Sequence, residues 1–220
     1  MKILHVIFSC NRIKYLTKTL ESWKHLDYGS HQVDRLLIDD YPRNRNEAIF
    51  ELLGKTHNFC YKFNEENLGL SVNWSQFFDW LKDTDYDYVL HQEDDVLLTQ
   101  PIKIDTLIEV LESDPKMASV VLQRQPWYFT ESDSKIEPDD VRFKEYYGSR
   151  NEKTFPIIFS LYRRDITKHP FQQYCLSGFG FSVLPPHTSA VYTCPLEPLP
   201  LGAIAVHMGE TVIFDLRMKP

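Results

Sequence analysis

The amino-acid sequence predicts an α/β fold, in which helices flank a mostly parallel central sheet and a smaller region of strands follows late in the chain. Two observations predict the sheet. Short apolar runs alternate with helix-like patterns through residues 2–123, which is typical of strand–helix units stacked around a parallel sheet. Polar residues also follow several of these runs directly, where buried strands would reach the edge of the sheet.

The first elements follow from apolar periodicity. A nearly continuous apolar run predicts a buried strand over residues 2–8, and apolar residues spaced by three or four positions predict a helix over 12–26. A second strand is expected over 33–38 and a helix near 45–54. A third strand is expected over 59–63.

The middle of the chain continues the alternation. A helix follows residue 69 because large apolar side chains recur on one face, which predicts that this face is buried. Those side chains are Leu70, Trp74, Phe77, Phe78 and Leu81. Strands are expected over 87–92 and 117–123, with a helix between them over 104–111.

The last third is less regular. Residues 124–155 have a weak pattern, and the polar stretch over 130–140 predicts a loop. Short strands separated by proline-rich connections are expected near 178–184, 202–207 and 211–217.

Length and charge narrow the possible functions. A chain of 220 residues favours one domain, residues 1–220. The net charge of −7 argues against nucleic acid as a partner, because such binding needs lysine and arginine to replace counterions on phosphates. No apolar run approaches the ~18 residues of a membrane span. We therefore expect a soluble, intracellular, cytoplasmic protein, and the oligomeric state stays open.

Acidic residues stand at the ends of two predicted strands. Asp39 and Asp40 end one of them, and Glu93, Asp94 and Asp95 end another. Ligands of open α/β sheets bind beyond the carboxyl ends of the strands, so we expect both clusters at one edge.

The three acids after residue 92 suggest a cation site. Side chains alternate along a strand, so Glu93 and Asp95 are expected on one side and Asp94 on the other. Two carboxylates on one side repel each other unless a cation lies between them, and hard oxygen ligands favour Mg²⁺ or Mn²⁺. The simpler alternative is a solvated turn after a strand.

Four segments, in chain order, carry a resemblance to a known family. They are "FSCNRIKYLTKTLESW" (8–23), "LLIDDYP" (36–42), "ENLGLSVNWSQFF" (66–78) and "YVLHQEDDVLL" (88–98). Together they resemble the GT-A fold, a Rossmann-like fold, of family-2-like nucleotide-sugar glycosyltransferases. The resemblance covers about the first 120 residues and extends to chlorovirus enzymes of virion glycan synthesis, which would imply a viral protein in the host cytoplasm.

The resemblance implies the division of the chain and its reaction. Residues 1–123 would bind a nucleotide-sugar donor, a UDP-sugar in particular, and residues 124–220 would form the acceptor side and closing strands. The enzyme would use Mn²⁺ or Mg²⁺ to move a sugar to a hydroxyl of a glycan acceptor.

The resemblance also implies the site residues. Asp95, Glu93 and a late histidine, His207, would hold the metal, although glutamate in the first position of the D-x-D motif departs from the family. The residues implied to line the nucleotide are Ser9, Cys10, Asn11, Arg12, Asp39, Asn67, Gly69, Ser71, Asn73 and Asp94. For His207 the simpler alternative is a hydrogen-bonded structural histidine.

A catalytic base is not identified by the sequence. If the reaction inverts the sugar, a carboxylate is expected to take the acceptor proton, and the candidates are Asp133, Asp139, Asp140 and Asp165. Each could equally be a solvated loop charge.

Two other functions stay open. A sugar-phosphate nucleotidyltransferase also builds a metal site on an α/β sheet, but the turn after the first strand lacks the glycine-rich loop expected of that class. A non-catalytic, metal-dependent carbohydrate-binding protein would share the acids and aromatic residues without needing a nucleotide pocket.

Overall fold

The computed structural model describes residues 1–41, 45–99, 101–113, 117–121, 141–143, 146–151, 159–165, 189–195 and 205–207. Its helices are α1 (Ile13–Ser22), α2 (Glu47–His57), α3 (Gly69–Leu81) and α4 (Ile104–Glu112), and Trp23–His25 extend α1 as a 3₁₀ turn. None of the described helices has both the length and the apolar character needed to cross a membrane.

The strands of the first half agree with the predicted positions within one or two residues. In chain order they are β1 (Lys2–Ser9), β2 (Leu26–Asp27), β3 (Gln32–Asp39), β4 (Cys60–Phe63), β5 (Tyr88–Glu93), β6 (Val96–Leu98), β7 (Ile102–Lys103) and β8 (Met117–Val121). The short β2, β6 and β7 were not predicted as strands.

The strands of the second half were mostly missed. They are β9 (Val141–Phe143), β10 (Tyr146–Asn151), β11 (Ser160–Arg163), β12 (Ser189–Pro195) and β13 (Ala205–His207). Only β13 falls within a predicted strand, and the strands expected near 178–184 and 211–217 lie outside the described residues.

Nine of the described strands form one sheet in the order β4-β3-β1-β5-β11-β8-β12-β10-β9. The strands β4, β3, β1 and β5 are mutually parallel, as the sequence predicts. Strand β11 pairs antiparallel with both β5 and β8, and β10 pairs antiparallel with β12 and β9. The sheet is therefore mostly parallel, with two strands reversed.

Helices cover both faces of this sheet. Alternate residues of β1 belong to different clusters, because side chains alternate across a strand. Ile3 and Ile7 pack with α1, α2 and α4, whereas Leu4, Val6 and Phe8 pack with α3. The aromatic face of α3 is buried through Trp74, Phe77 and Phe78, which confirms the prediction for those residues.

Local sequence explains where the helices next to the polar edge begin. Asn11 has a positive φ of 54°, a conformation that asparagine adopts more readily than most residues, and it turns the chain from β1 into α1. The side chain of Asn46 caps α2 by accepting a hydrogen bond from the amide of Ile49. Gly69 begins α3 with φ of 73°, which strains any residue with a Cβ.

Candidate functional site

The candidate site lies where three neighbouring parallel strands end. In the sheet register Ser9, at the end of β1, lies beside Asp39, at the end of β3. On the other side of β1, Phe8 lies beside Glu93, at the end of β5. The two acidic clusters are thus brought to the same edge, as their positions after predicted strands indicate.

Glu93 ends β5, and the two acids after it, Asp94 and Asp95, form a turn rather than a continuation of the strand. We call residues 93–95 the acidic turn; Asp94 and Asp95 are buried and Glu93 is half-buried. Asp94 accepts hydrogen bonds from the hydroxyl of Ser9 (2.9 Å) and the amide of Cys10 (3.4 Å).

Arg12 joins the two aspartates of the acidic turn. Its Nε and Nη2 donate to Asp94, with Nε 3.3 Å from Oδ2, and its Nη1 donates to Asp95 Oδ2 at 2.5 Å. Strand alternation predicted that Asp94 and Asp95 point in opposite directions. They converge on one guanidinium because β5 ends at Glu93 and the chain turns at Asp94 and Asp95.

The acidic turn places three carboxylates close to one guanidinium. Ionised, its three carboxylates outnumber the one positive charge that Arg12 brings, so this group of four side chains stays negative. Burial raises the pKa of Asp94 to about 6, although the charge of Arg12 acts in the opposite direction.

Cys10 lies beside this cluster without the properties of a nucleophile. It is exposed and free of a disulfide. Partial burial, together with the charges of Asp39, Asp40 and Asp94, raises the pKa of its thiol. Because the thiolate is the reactive form, this raised pKa disfavours a nucleophilic role for Cys10.

Asp39 is buried and is bound from within the chain. It accepts hydrogen bonds from the amide of Asn11 (2.6 Å), the amide of Tyr41 (3.2 Å) and Nε of Arg45 (3.1 Å). The Arg45 guanidinium also lies 4.2 Å from the ring centre of Phe63, a cation–π contact. Asp39 therefore ties the turn after β1 to the segment before α2.

Asp40 holds the loop that precedes α3. Its Oδ1 accepts from the side chain of Asn64 and the amide of Leu68, both at 2.9 Å, and its Oδ2 accepts from the amide of Gly69 at 2.8 Å. The Asn64 side chain also donates to Oδ1 of Asn73 at 2.5 Å. These contacts fix the loop, which contains Asn67, against the end of β3.

The remaining residues implied by the resemblance are Asn67, Ser71 and Asn73. Asn67 is exposed and its side chain accepts from the amide of Gly69 (3.1 Å), whereas Asn73 is buried and donates to the Gly69 carbonyl (3.0 Å). Ser71 lies in α3, but its side chain is outside the described part of the structure, as are residues 133, 139 and 140.

His207 is brought near the acidic turn by its strand. In the antiparallel pair of β13 and β6, His207 lies beside Val96, the residue after Asp95. The structure describes the backbone at His207, and its role toward a metal stays a prediction.

Asp165 is placed away from the cluster. It comes two residues after Arg163, which lies beside Tyr88 in the sheet. Tyr88 begins β5, so Asp165 is near the opposite end of that strand from the acidic turn. The arginines before it have structural partners: Arg163 pairs with Glu112 (2.9 Å), and Arg164 donates to the carbonyl of Tyr86 (2.7 Å). The structure thus places Asp165 away from the acidic turn.

Several polar residues at this edge were not singled out from the sequence. Asn64 and Arg45 join the β3 side through partners distant in sequence, so no local pattern marks them. Thr19 and Gln92 are buried polar residues behind the acidic turn. A polar residue at an apolar position of a predicted helix or strand is the signal that could have identified these two.

The acidic turn fits a divalent cation by the chemistry of its donors. Carboxylate oxygens are the ligands that Mg²⁺ and Mn²⁺ prefer, and Mg²⁺ usually needs only one or two of them besides water and phosphate oxygens. Among the residues that are described, no group of three or more His, Cys, Asp or Glu side chains is arranged to hold a metal ion by itself. A cation here would therefore share the carboxylates with Arg12.

Residues 5–184 match the family described as Glycosyl transferase family 2. A curated relative is dolichyl N-acetyl-alpha-D-glucosaminyl phosphate 3-beta-D-2,3-diacetamido-2,3-dideoxy-beta-D-glucuronosyltransferase of Methanococcus voltae. It is 26% identical over an aligned length of 126 residues, and the match covers 52% of this chain and 36% of that protein. The chain thus spans little more than a third of this relative.

Solved structures of similar fold include two transferases. A mannosyltransferase from Pyrobaculum calidifontis, in complex with GDP-Man and Mn²⁺, has a TM-score of 0.54 at 13% identity, over 86% of this chain and 56% of that one. S. aureus TarS 1–349, in complex with UDP, has a TM-score of 0.52 at 16% identity, over 87% and 60%. At these identities the likeness concerns the fold, which is the GT-A fold that the sequence predicts.

Proposed function

The chain belongs to glycosyl transferase family 2, and from that premise we propose that it transfers a sugar from a nucleoside diphosphate donor to a hydroxyl group of a glycan. The observation that supports this most strongly is the acidic turn. It buries two aspartates at the carboxyl end of a central parallel strand, where α/β sheets bind their ligands. Such a cluster suits a cation and, through it, a diphosphate.

The proposed donor is a UDP-sugar. In support, the S. aureus protein of similar fold was crystallised with UDP. The Pyrobaculum protein was crystallised with GDP-Man, so a guanosine donor is the alternative to be tested beside it. The nucleotide would lie along residues 9–12 and the loop over 67–69, which Asp39 and Asp40 hold in place through the amides of Asn11, Leu68 and Gly69.

The proposed cofactor is Mn²⁺ or Mg²⁺, held by Asp95 with Glu93, His207 or both. Bound there, the cation would stabilise the negative charge that the nucleoside diphosphate gains as it leaves the sugar. Ser9 and Arg12 would keep the carboxylate of Asp94 oriented. Asp94 itself would face the ribose, as the resemblance implies.

The acceptor side of the reaction rests on residues outside the described part of the chain. An inverting transfer needs a base for the acceptor hydroxyl, and Asp133, Asp139 and Asp140 stay the candidates for it. Asp165 is not carried forward, because β11 places it at the other end of β5.

The test is donor hydrolysis without an acceptor. A panel of UDP-sugars and GDP-sugars is incubated with the protein in Mn²⁺, in Mg²⁺ and in a chelator, and the release of nucleoside diphosphate is measured. We expect release from a UDP-sugar with the metal, none with the chelator, and a loss in Asp95→Asn. Asp79→Asn is the matched control, because Asp79 is an exposed acid on α3 that pairs with Lys82.

Other outcomes would favour the alternatives. Release of nucleoside diphosphate from GDP-sugars alone would show that the donor is a guanosine rather than a uridine diphosphate sugar. Release of pyrophosphate from a sugar phosphate and a nucleoside triphosphate would favour the nucleotidyltransferase. Calcium- or manganese-dependent retention on a glycan array, without nucleotide binding, would favour the carbohydrate-binding protein.

A further inference from the structure

The carbonyl of Asp94, in the acidic turn, and that of Val96, directly after it, both contact α1. The hydroxyl of Thr19, a fully buried residue of α1, donates to the carbonyl of Asp94 at 2.8 Å and lies 3.3 Å from the carbonyl of Val96. A hydroxyl has one proton, so the two carbonyls share it in a three-centre bond. Thr19 thus contacts the backbone at two points, one in the acidic turn and one directly after it.

Gln92 closes the same turn from within β5. Its side chain is fully buried, and Nε2 donates to the carbonyl of Val96 at 2.7 Å. Its Oε1 accepts from the indole of Trp23 at 2.9 Å and lies 3.0 Å from Nε2 of His5. The amide therefore bridges the residues immediately before and after the acidic turn.

The donors behind Gln92 fix its orientation. The Trp23 indole can only donate, so the group it meets must be the amide oxygen. Nε2 of His5 must then carry a proton in order to donate to the same oxygen. The other nitrogen, Nδ1, accepts from the hydroxyl of Tyr28 at 2.7 Å. This assignment uses the neutral ring, and burial lowers the pKa of His5 to about 3.

We propose that Thr19 and Gln92 are positioning residues for the proposed donor site: by binding the carbonyls of Asp94 and Val96, they hold Asp94 and Asp95 in the arrangement that receives the donor and its cation. This inference rests on the proposed function. A buried polar side chain lowers stability unless it is hydrogen-bonded, so packing alone would favour apolar residues at both positions. Both residues instead direct their donors to the carbonyls of the acidic turn and the residue after it.

The test compares three threonine variants. Thr19→Val keeps nearly the same shape and removes the hydroxyl, whereas Thr19→Ser keeps the hydroxyl. Thr17→Val is the matched control, because among the described residues the hydroxyl of Thr17 bonds to the carbonyl of Ile13 in its own helix, at 2.9 Å, and not to the acidic turn. Each variant is titrated calorimetrically with UDP in the presence of Mn²⁺, and its folding is checked by urea unfolding.

The expected result is a loss of affinity specific to Thr19→Val. Groups that only orient metal ligands commonly contribute 10- to 100-fold to affinity, so we expect Thr19→Val to weaken Mn²⁺-dependent UDP binding by about 10-fold or more. Thr19→Ser should restore most of it, and Thr17→Val should bind like the wild type. A folded Thr19→Val that binds like the wild type, or equal losses in both valine variants, would overturn the proposal.

Hydrogen exchange separates this inference from the proposed function. If the wild type does not bind UDP with any metal, the proposed donor site fails, and exchange of the amides over residues 93–96 decides the positioning role. We expect faster exchange there in Thr19→Val and in Gln92→Met, but not in Thr17→Val. Unchanged exchange in both variants would contradict the positioning role whatever the ligand.

Discussion

Two pairs of adjacent aspartates end strands on either side of β1, and they differ in what neutralises them. Asp39 and Asp40, the β3 pair, are both buried, and so are Asp94 and Asp95, the β5 pair. The β3 pair is bound mainly by backbone amides of the neighbouring loops, with Arg45 as an additional partner. The β5 pair is joined through a single half-exposed guanidinium, that of Arg12.

The difference indicates that two pairs of the same residue type, aspartate, have different roles at one edge of the sheet. Backbone amides that donate to a buried carboxylate hold the loops they belong to, so the β3 pair has a structural role even where it borders a ligand. The β5 pair shares the guanidinium of Arg12, and Glu93 adds a third carboxylate beside it. We infer that the β3 pair shapes the site, whereas in the β5 pair Asp95 meets the cation and Asp94 faces the ribose.

The largest expected effect separates the pairs by metal binding. Asp95→Asn removes a charged oxygen donor, and we expect Mn²⁺ affinity to fall by more than the ~100-fold that merely orienting groups contribute. Titration of Mn²⁺ followed by electron paramagnetic resonance measures it. Asp40→Asn should stay within a few-fold of the wild type, and an equal loss in both variants would remove the distinction between the pairs.

The second effect separates the pairs by stability. Asp40→Asn leaves one acceptor oxygen for three donors, and we expect the free energy of unfolding to fall by about 1 to 3 kcal/mol. Asp95→Asn should change it less, because Arg12 is half-exposed and water can solvate its guanidinium. Urea unfolding without metal measures both, and a larger loss in Asp95→Asn would contradict the assignment.

The third effect is a pH dependence of the β5 pair in the absence of metal. Because the pKa of Asp94 is raised to about 6 in the folded chain, folding favours the protonated carboxyl over the ionised one. Its contribution to stability is therefore full below the unfolded pKa near 4 and is lost as the pH rises through 6.

The variant Asp94→Asn isolates this contribution. Relative to that variant, the wild type should gain about 1 to 2 kcal/mol in unfolding free energy between pH 7.5 and pH 4.5. Urea unfolding at a series of pH values measures the gain. A difference that does not change with pH would show that Asp94 does not titrate in this range.

The smallest expected effect concerns Arg12. Arg12→Gln removes the positive charge that shares the β5 carboxylates, so we expect Mn²⁺ to bind a few-fold more tightly when no nucleotide is present, about 1 kcal/mol or less. The same resonance titration measures it. Weaker Mn²⁺ binding in Arg12→Gln would mean that Arg12 orients the carboxylates for the metal rather than competing with it.

The sequence predicts the parts of the molecule that depend on local patterns. Strands β1, β3 and β5 were found because each is a short apolar run that ends in polar residues, and α3 because its aromatic residues recur on one face. Strand β11 was missed because its four residues, Ser160–Arg163, are too few to show an alternation, and its place between β5 and β8 is set by pairing distant in sequence.

The site was only partly predictable for the same reason. The acids could be located from their positions after strands, but not the partners that distinguish the two pairs. Arg45 reaches Asp39 across the connection between β3 and α2, at a spacing that marks no motif, and the turn that brings Asp94 and Asp95 onto Arg12 breaks the alternation on which the prediction relied. Thr19 lies behind the acidic turn only because α1 packs against β6.

The measurement that tests the central claim most directly is calorimetric titration of UDP into the wild type, with Mn²⁺ and then with a chelator. We expect binding with Mn²⁺ only, and its loss in Asp95→Asn but not in Asp79→Asn. UDP binding that is unaffected by the chelator and by Asp95→Asn would contradict the claim that the acidic turn meets the diphosphate through a cation.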